Sequence, residues 1–184
     1  MSIDAQTLLI ALKTRTGFSA DHQALLKENT DWALALAPDM ANHFYEYLGR
    51  DPEMNSVLNK KEGSMHRLHS TFVQWFHEMF TGMDNWGEAY AERRWRVGLV
   101  HVQIGIGPQH VVPAMAIVVQ EFGKRLLQAE KPEALREALG TIAMIDLAFI
   151  EQAYMEVAYN AVQKETGWTE GLFKRLVSTG ASTL

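Results

Sequence analysis

Along most of the chain the apolar positions recur at steps of three and four, the spacing of one helical face, rather than in alternation. The pattern predicts an all-α protein. The first such segment runs from Ala20 to Leu36, with Leu25, Leu26, Trp32, Leu34 and Leu36, and Pro38 is expected to break it or to restart it at a helical first turn. A short aromatic helix follows from Met40 to Leu48, closed by Gly49 and the Asp51-Pro52 pair. From Lys61 to Phe80, Met65, Leu68, Phe72, Trp75, Phe76 and Met79 form one apolar face. Gly82, Asp84 and Asn85 end that helix. The next carries Tyr90, Arg94, Val97 and His101 on one stripe until Gly105, Gly107 and Pro108 break it. Two long helices follow, Gln109 to Leu127 and Pro132 to Lys164. The second far exceeds the usual length of about 11–12 residues, which implies a neighbour or a second subunit to pack on.

A chain of 184 residues suits one well-packed core. Residues 1–166 are expected to form that domain. Beyond Gly167, Trp168 to Val177 is a shorter amphipathic stretch before the tail Ser178 to Leu184, so 167–184 reads as a connector toward an output domain.

Charge and composition remove several classes of function. With 17 basic and 22 acidic residues and no basic block, the chain has no electrostatic footprint for nucleic acid. The absence of cysteine excludes disulfides, thiolate metal sites and covalent haem attachment, so any metal must be held by His or carboxylate. No signal-like amino terminus and no stretch of roughly 18 apolar residues is visible, and the expectation is a cytoplasmic protein without a membrane span.

Seven histidines are then the place to look for chemistry. His101 lies on the apolar stripe of Val97 and Ile104, with Gly98 and Gly105 expected to leave the helix face flat, as a porphyrin beside an imidazole requires. The alternative is a core histidine bonded to a backbone carbonyl. His66, His69, His77 and Glu62 invite comparison with a helical metal site, but their spacing lacks the paired Glu-x-x-His pattern, and a polar flank beside the Leu68, Phe72 and Trp75 face is the plainer reading. His22 and His43 carry no pattern and are assigned to the surface. Tyr45, between Phe44 and Leu48, needs a partner for its hydroxyl if buried, and a backbone carbonyl would serve. Nucleophilic triads, phosphate loops and dinucleotide fingerprints are absent.

The run Val97 to Pro108 contains H-V-Q-I-G-I-G-P, which resembles the H-x-R-I-G-I/L-x-P signature of the globin-coupled sensors. Asn42-His43-Phe44-Tyr45-Glu46-Tyr47-Leu48 is similar to that family's F-Y-x-x-L segment, and Tyr45 precedes His101 by 56 residues, as in the family. The resemblance covers roughly residues 15 to 165. It implies a globin fold with an extra N-terminal helix and long paired C-terminal helices, and non-covalent haem b with His101 as its iron ligand. Tyr45 then matches the tyrosine that hydrogen-bonds to dioxygen, Leu68 the apolar residue over the iron and Thr71 a second polar contact. Phe72, Trp75, Val97, Ile104 and Ile106 complete the implied cofactor pocket. Two positions depart from the family: Gln103 stands where it has Arg, and His110-Val111 where an aromatic pair often follows the proline.

The function so implied is oxygen sensing, with CO or NO as other ligands, rather than catalysis within this chain. The signal would pass to an output domain. A homodimer is expected through the two long helices, with Val112, Met115, Val119 and Phe122 on one and Ile142, Ile145, Phe149 and Tyr154 on the other; the alternative is that these positions are intramolecular core. Two other functions compete: a haem-free globin-like interaction module of a stress-signalling complex, and a nitric-oxide dioxygenase, which would need an external reductase.

Overall fold

The computed structural model describes residues 4–60 and 64–182, and among these it contains helices and no strand. The elements are α1 (Ala5–Thr16), α2 (Ala20–Glu28), α3 (Thr30–Leu48), α4 (Pro52–Leu58), α5 (Ser64–Thr81), α6 (Glu88–Ile104), α7 (Pro108–Gln128), α8 (Glu133–Thr166) and α9 (Glu170–Ala181). Local chemistry sets most boundaries. Asp51 caps α4 by accepting from the backbone N–H of Glu53 and Met54, with Pro52 pre-set for the first turn. Asp84 does the same ahead of α6, accepting from Gly87, Ala89 and Tyr90. The Glu62 position, and the predicted start of its helix at Lys61, lie outside the described residues.

Pro38 neither breaks nor restarts a helix; it sits inside α3, and the break falls at Asn29. A proline within a helix forfeits one backbone hydrogen bond. Here Ala33, Ala37, Met40, Ala41 and Tyr45 bury a continuous face across that position, and this packing sustains the helix. At the true break the Asn29 amide donates to the Leu25 carbonyl while its Oδ1 accepts from Lys131 Nζ, so a residue with little pattern of its own joins two elements.

Helix α8 is the spine of the molecule, packing against α6, α7 and α2, while α3 packs against α5. Its length and apolar composition would allow it to cross a membrane, a feature the sequence reading did not credit to it. Part of its apolar face is buried inside the fold, where Leu139, Ile142, Ile145 and Phe149 have no exposed surface, while Met144 and Met155 are exposed. Phe72, Phe76, Phe80, Phe122 and Trp32 form a chain of ring contacts at 5.2–6.2 Å between α3, α5 and α7.

The same burial corrects the residues assigned to a dimer surface. Met115, Phe122, Ile142, Ile145 and Phe149 are core of the single chain. Of the eight, only Val112 is exposed, with Val119 and Tyr154 half-buried. The period of three and four marks a buried face without saying whose surface buries it.

Candidate functional site

Helices α5 and α6 approach each other little at the backbone level. A cavity of about 620 Å³ lies among α3, α4, α5, α6 and α7, within the ~300–1,000 Å³ typical of cofactor sites. Tyr45, Leu68, Thr71, Phe72, Trp75, Val97, His101, Ile104 and Ile106 all line it. The side chains named from the sequence therefore converge on one space.

His101 stands in the last turn of α6, and its Nδ1 lies 2.9 Å from the Val97 carbonyl oxygen one turn earlier. The carbonyl can only accept, so Nδ1 carries the proton and donates, which leaves the Nε2 lone pair free. The carbonyl bond anticipated as an alternative is thus present, and it is also what orients a metal-ligating imidazole. Burial pushes the imidazole below its usual pKa of 6.5, against the opposing pull of the Val97 hydrogen bond. A neutral ring is the form that binds iron.

The glycines play a different part from the one expected. A Cβ on Gly98 would lie 2.8 Å from Ala153 Cβ and 2.9 Å from the Phe149 carbonyl oxygen, so this glycine lets α6 approach α8. Gly105, at φ 75°, caps α6 in the left-handed conformation, with nothing near its Cβ position. Neither clears space at the imidazole. Beyond the cap, Tyr154 of α8 donates its hydroxyl to the Ile106 carbonyl and ties the end of the His101 helix to the spine.

Tyr45 is buried in α3, and its hydroxyl donates to the Leu68 carbonyl oxygen at 2.8 Å. Burial raises the phenol's pKa above its ordinary value, which keeps it a neutral donor. His69 stacks on the Tyr45 ring at 4.8 Å, a contact no sequence pattern announced. Thr71 lines the cavity, but its hydroxyl donates to the Arg67 carbonyl within its own helix. Ile104 is 49% exposed and stands at the open side.

His66 is exposed, His77 is half-buried, and among the described residues they join His69 in no metal-ligating group. The two histidines assigned to the surface have partners: His22 completes a capping box with Ser19, and half-buried His43 lies 3.7 Å from Glu121.

Sequence reasoning missed the charged lining of the cavity. Lys60, Arg67, Arg93 and Arg96 line it, and among the described residues no acidic one does. Gln103, in place of the family's arginine, lies among them. It also missed a buried ionic cluster behind the wall. Asp146 of α8 accepts from Trp75 Nε1 at 2.9 Å and from Tyr90 Oη at 2.7 Å, with Arg94 Nε 2.9 Å away. Arg94 also pairs with Glu78 at 2.6 Å, and Glu78 with Arg93 at 3.2 Å. Burial raises the Asp146 pKa despite the opposing Arg94 charge and the hydrogen bonds donated to it. The cluster joins α5, α6 and α8, and Trp75 is shared between it and the cavity.

A helical sandwich around an apolar, base-rimmed cavity, with one free imidazole nitrogen, defines a protein of the globin fold. The chain belongs to the Protoglobin family, whose model matches residues 7–159. Among solved structures it is similar to the globin domain of a Geobacter sulfurreducens globin-coupled sensor, at 26% identity and a TM-score of 0.71, covering 78% of this chain and 95% of that one. The ferric globin domain of the E. coli DosC shares the fold at 17% identity and a TM-score of 0.63, covering 77% of this chain and 99% of that one. Among curated proteins no sequence matches this chain.

Proposed function

We propose that the chain is a haem-based oxygen-sensing domain that binds haem b without a covalent link and reports gas binding to an output domain. The observation that carries this reading is the cavity's composition: one imidazole with Nε2 free, an apolar lining and, among the described residues, a basic charged rim. A flat apolar ligand with two carboxylates calls for that combination. His101 would hold the iron, and Lys60, Arg67, Arg93 and Arg96 are the candidates for the propionates, in place of the arginine that Gln103 replaces. Haem bound there supplies an iron with one position open to a diatomic gas.

The chain's own residues supply the selectivity. Phe72, Trp75, Val97 and Ile106 keep water from the cavity, and Leu68 limits access to its centre. The Tyr45 hydroxyl is the donor for a polar diatomic ligand, and it reaches one by leaving the Leu68 carbonyl. That exchange of acceptors would favour dioxygen, the better hydrogen-bond acceptor of the two when held at such a site, over carbon monoxide. Trp75 and Tyr154 link the cavity to α8, and α8 continues through Gly167 into α9, so residues 167–184 form the relay. Self-association would use outward positions such as Val112, Met144 and Met155 rather than the buried ones. The expected compartment is the cytoplasm, with no nucleic acid or membrane partner.

Absorption spectroscopy tests the reading. The purified chain supplied with haem should take up one equivalent and show a Soret band, and His101→Ala should abolish stable uptake. A chain that shows no Soret band with haem in excess would instead be a haem-free interaction module.

A further inference from the structure

At the start of α7, His110 meets two acidic side chains from a segment more than fifty residues earlier. Its Nε2 lies 3.1 Å from Glu53 Oε2, and its Nδ1 lies 4.0 Å from Asp51 Oδ2. One ligand atom from each of the three residues falls within 4.8 Å of the other two. We propose that Asp51, Glu53 and His110 form a binding site for a divalent transition-metal ion of the zinc class, a proposal independent of haem binding.

Three features carry it beyond a pair of exposed acids. The first is the imidazole: its side chain is only 12% exposed, and both ring nitrogens face carboxylates. Either nitrogen, once it presents its lone pair, is a metal-ligand atom with a carboxylate beside it. The second is the division of labour within Asp51. Its Oδ1 accepts from the backbone of Glu53 and Met54, which fixes the carboxylate, while Oδ2 is the oxygen nearer His110. The third is charge: among the described residues no lysine or arginine pairs with Asp51 or Glu53. Two carboxylates, one neutral imidazole and one divalent ion make a neutral set.

The geometry lies within reach of coordination. Two ligands on one tetrahedral zinc ion stand about 3.3 Å apart, given metal–ligand distances near 2.0–2.2 Å. Nε2 and Glu53 Oε2, at 3.1 Å, are close to that separation, and the long, exposed Glu53 side chain can bring its carboxylate toward Asp51 Oδ2 while Asp51 keeps its cap. An imidazole with two carboxylates suits zinc and its transition-metal neighbours, whereas magnesium and calcium prefer oxygen-only sets. Three protein ligands leave a fourth position for water. His110 also lines the large cavity, so the ion would clamp the start of α4 to the start of α7 at the rim.

Isothermal titration of the purified chain with zinc chloride tests the proposal. We expect one equivalent bound with micromolar or tighter affinity, unaffected by millimolar magnesium or calcium. Glu53→Gln, at an exposed position, should weaken binding at least about tenfold, and His110→Ala should abolish it. His66→Ala, which alters an exposed histidine on α5, should leave it intact. The proposal is overturned if no saturable zinc heat appears, if Glu53→Gln and His110→Ala bind as the parent chain does, if His66→Ala loses the site, or if calcium displaces zinc at equal concentration.

Discussion

His101 depends on one hydrogen bond. Donation from Nδ1 to the Val97 carbonyl fixes both the tautomer and the plane of the ring, and so decides where the free Nε2 points. Tyr45 depends on another, to Leu68. Removing the tyrosine hydroxyl leaves one carbonyl without that donor, a cost of about 0.5–1.5 kcal/mol that the fold can absorb. Tyr45→Phe is therefore expected to fold and to take up haem. It should speed oxygen dissociation by roughly tenfold or more, from a hydrogen bond of about 1–3 kcal/mol, while barely changing carbon monoxide dissociation. Stopped-flow measurement of both gases checks this, and equal effects on the two would remove the hydroxyl from its assigned part. Both residues stood out in the sequence because they lie in the two segments that resemble the globin-coupled sensors; spacing alone would have left them in an ordinary core. The carbonyls that hold them belong to the backbone, and residue identity does not encode them.

Between elements, the α6–α8 contact is where single substitutions should be most costly. Gly98 admits α8 so closely that a valine there must push Ala153 and the Phe149 carbonyl away. Overpacking of this kind costs about 1–3 kcal/mol. Asp146 holds buried Arg94 and Tyr90 together with Trp75, and Asp146→Ala leaves Arg94 with Glu78 as its one buried counter-charge among the described residues. Breaking a buried pair costs about 3–5 kcal/mol, more than the packing error at Gly98. Urea denaturation should rank Asp146→Ala as the less stable of the two; the reverse order would mean that the cluster contributes little. Helix boundaries were legible at Asp51-Pro52 and Gly107-Pro108, where an N1 proline follows the cap, whereas the caps of α1 at Asp4 and Gly17 went unread. Pro38 misled because the packing of Ala37, Met40 and Ala41 outweighs one missing hydrogen bond.

For the whole molecule, the buried imidazole makes stability depend on pH. The folded state holds the His101 pKa below 6.5, and the unfolded chain recovers about that value. Between the two values the unfolded state binds more protons, so stability rises with pH there. Its contribution is complete above about pH 6.5 and is lost as pH falls through the folded value. The urea midpoint of the haem-free chain should drop on acidification below that point, and should drop less in His101→Gln. An identical pH dependence in the two would place the effect on other groups. Sedimentation at micromolar concentration decides self-association. A dimer that Met144→Glu or Met155→Glu dissociates would support the outward stripe of α8, and a strict monomer would end the proposal.

Periodicity and two short motifs were enough for the class of the fold, for His101 and Tyr45 as the pair to examine, and for the resemblance to the globin sensors. Helical periodicity is a local property, and a motif is a string of residue types, so both survive without coordinates. The folded chain was needed to see which apolar faces it buries against itself, that Gly98 serves packing rather than the cavity, and that four basic residues rim it. It also brought His110 to Asp51 and Glu53, and Asp146 to Trp75, Tyr90 and Arg94. These contacts join residues tens of positions apart, and the packing angles of the helices that place them arise from the sum of all side-chain volumes in the core.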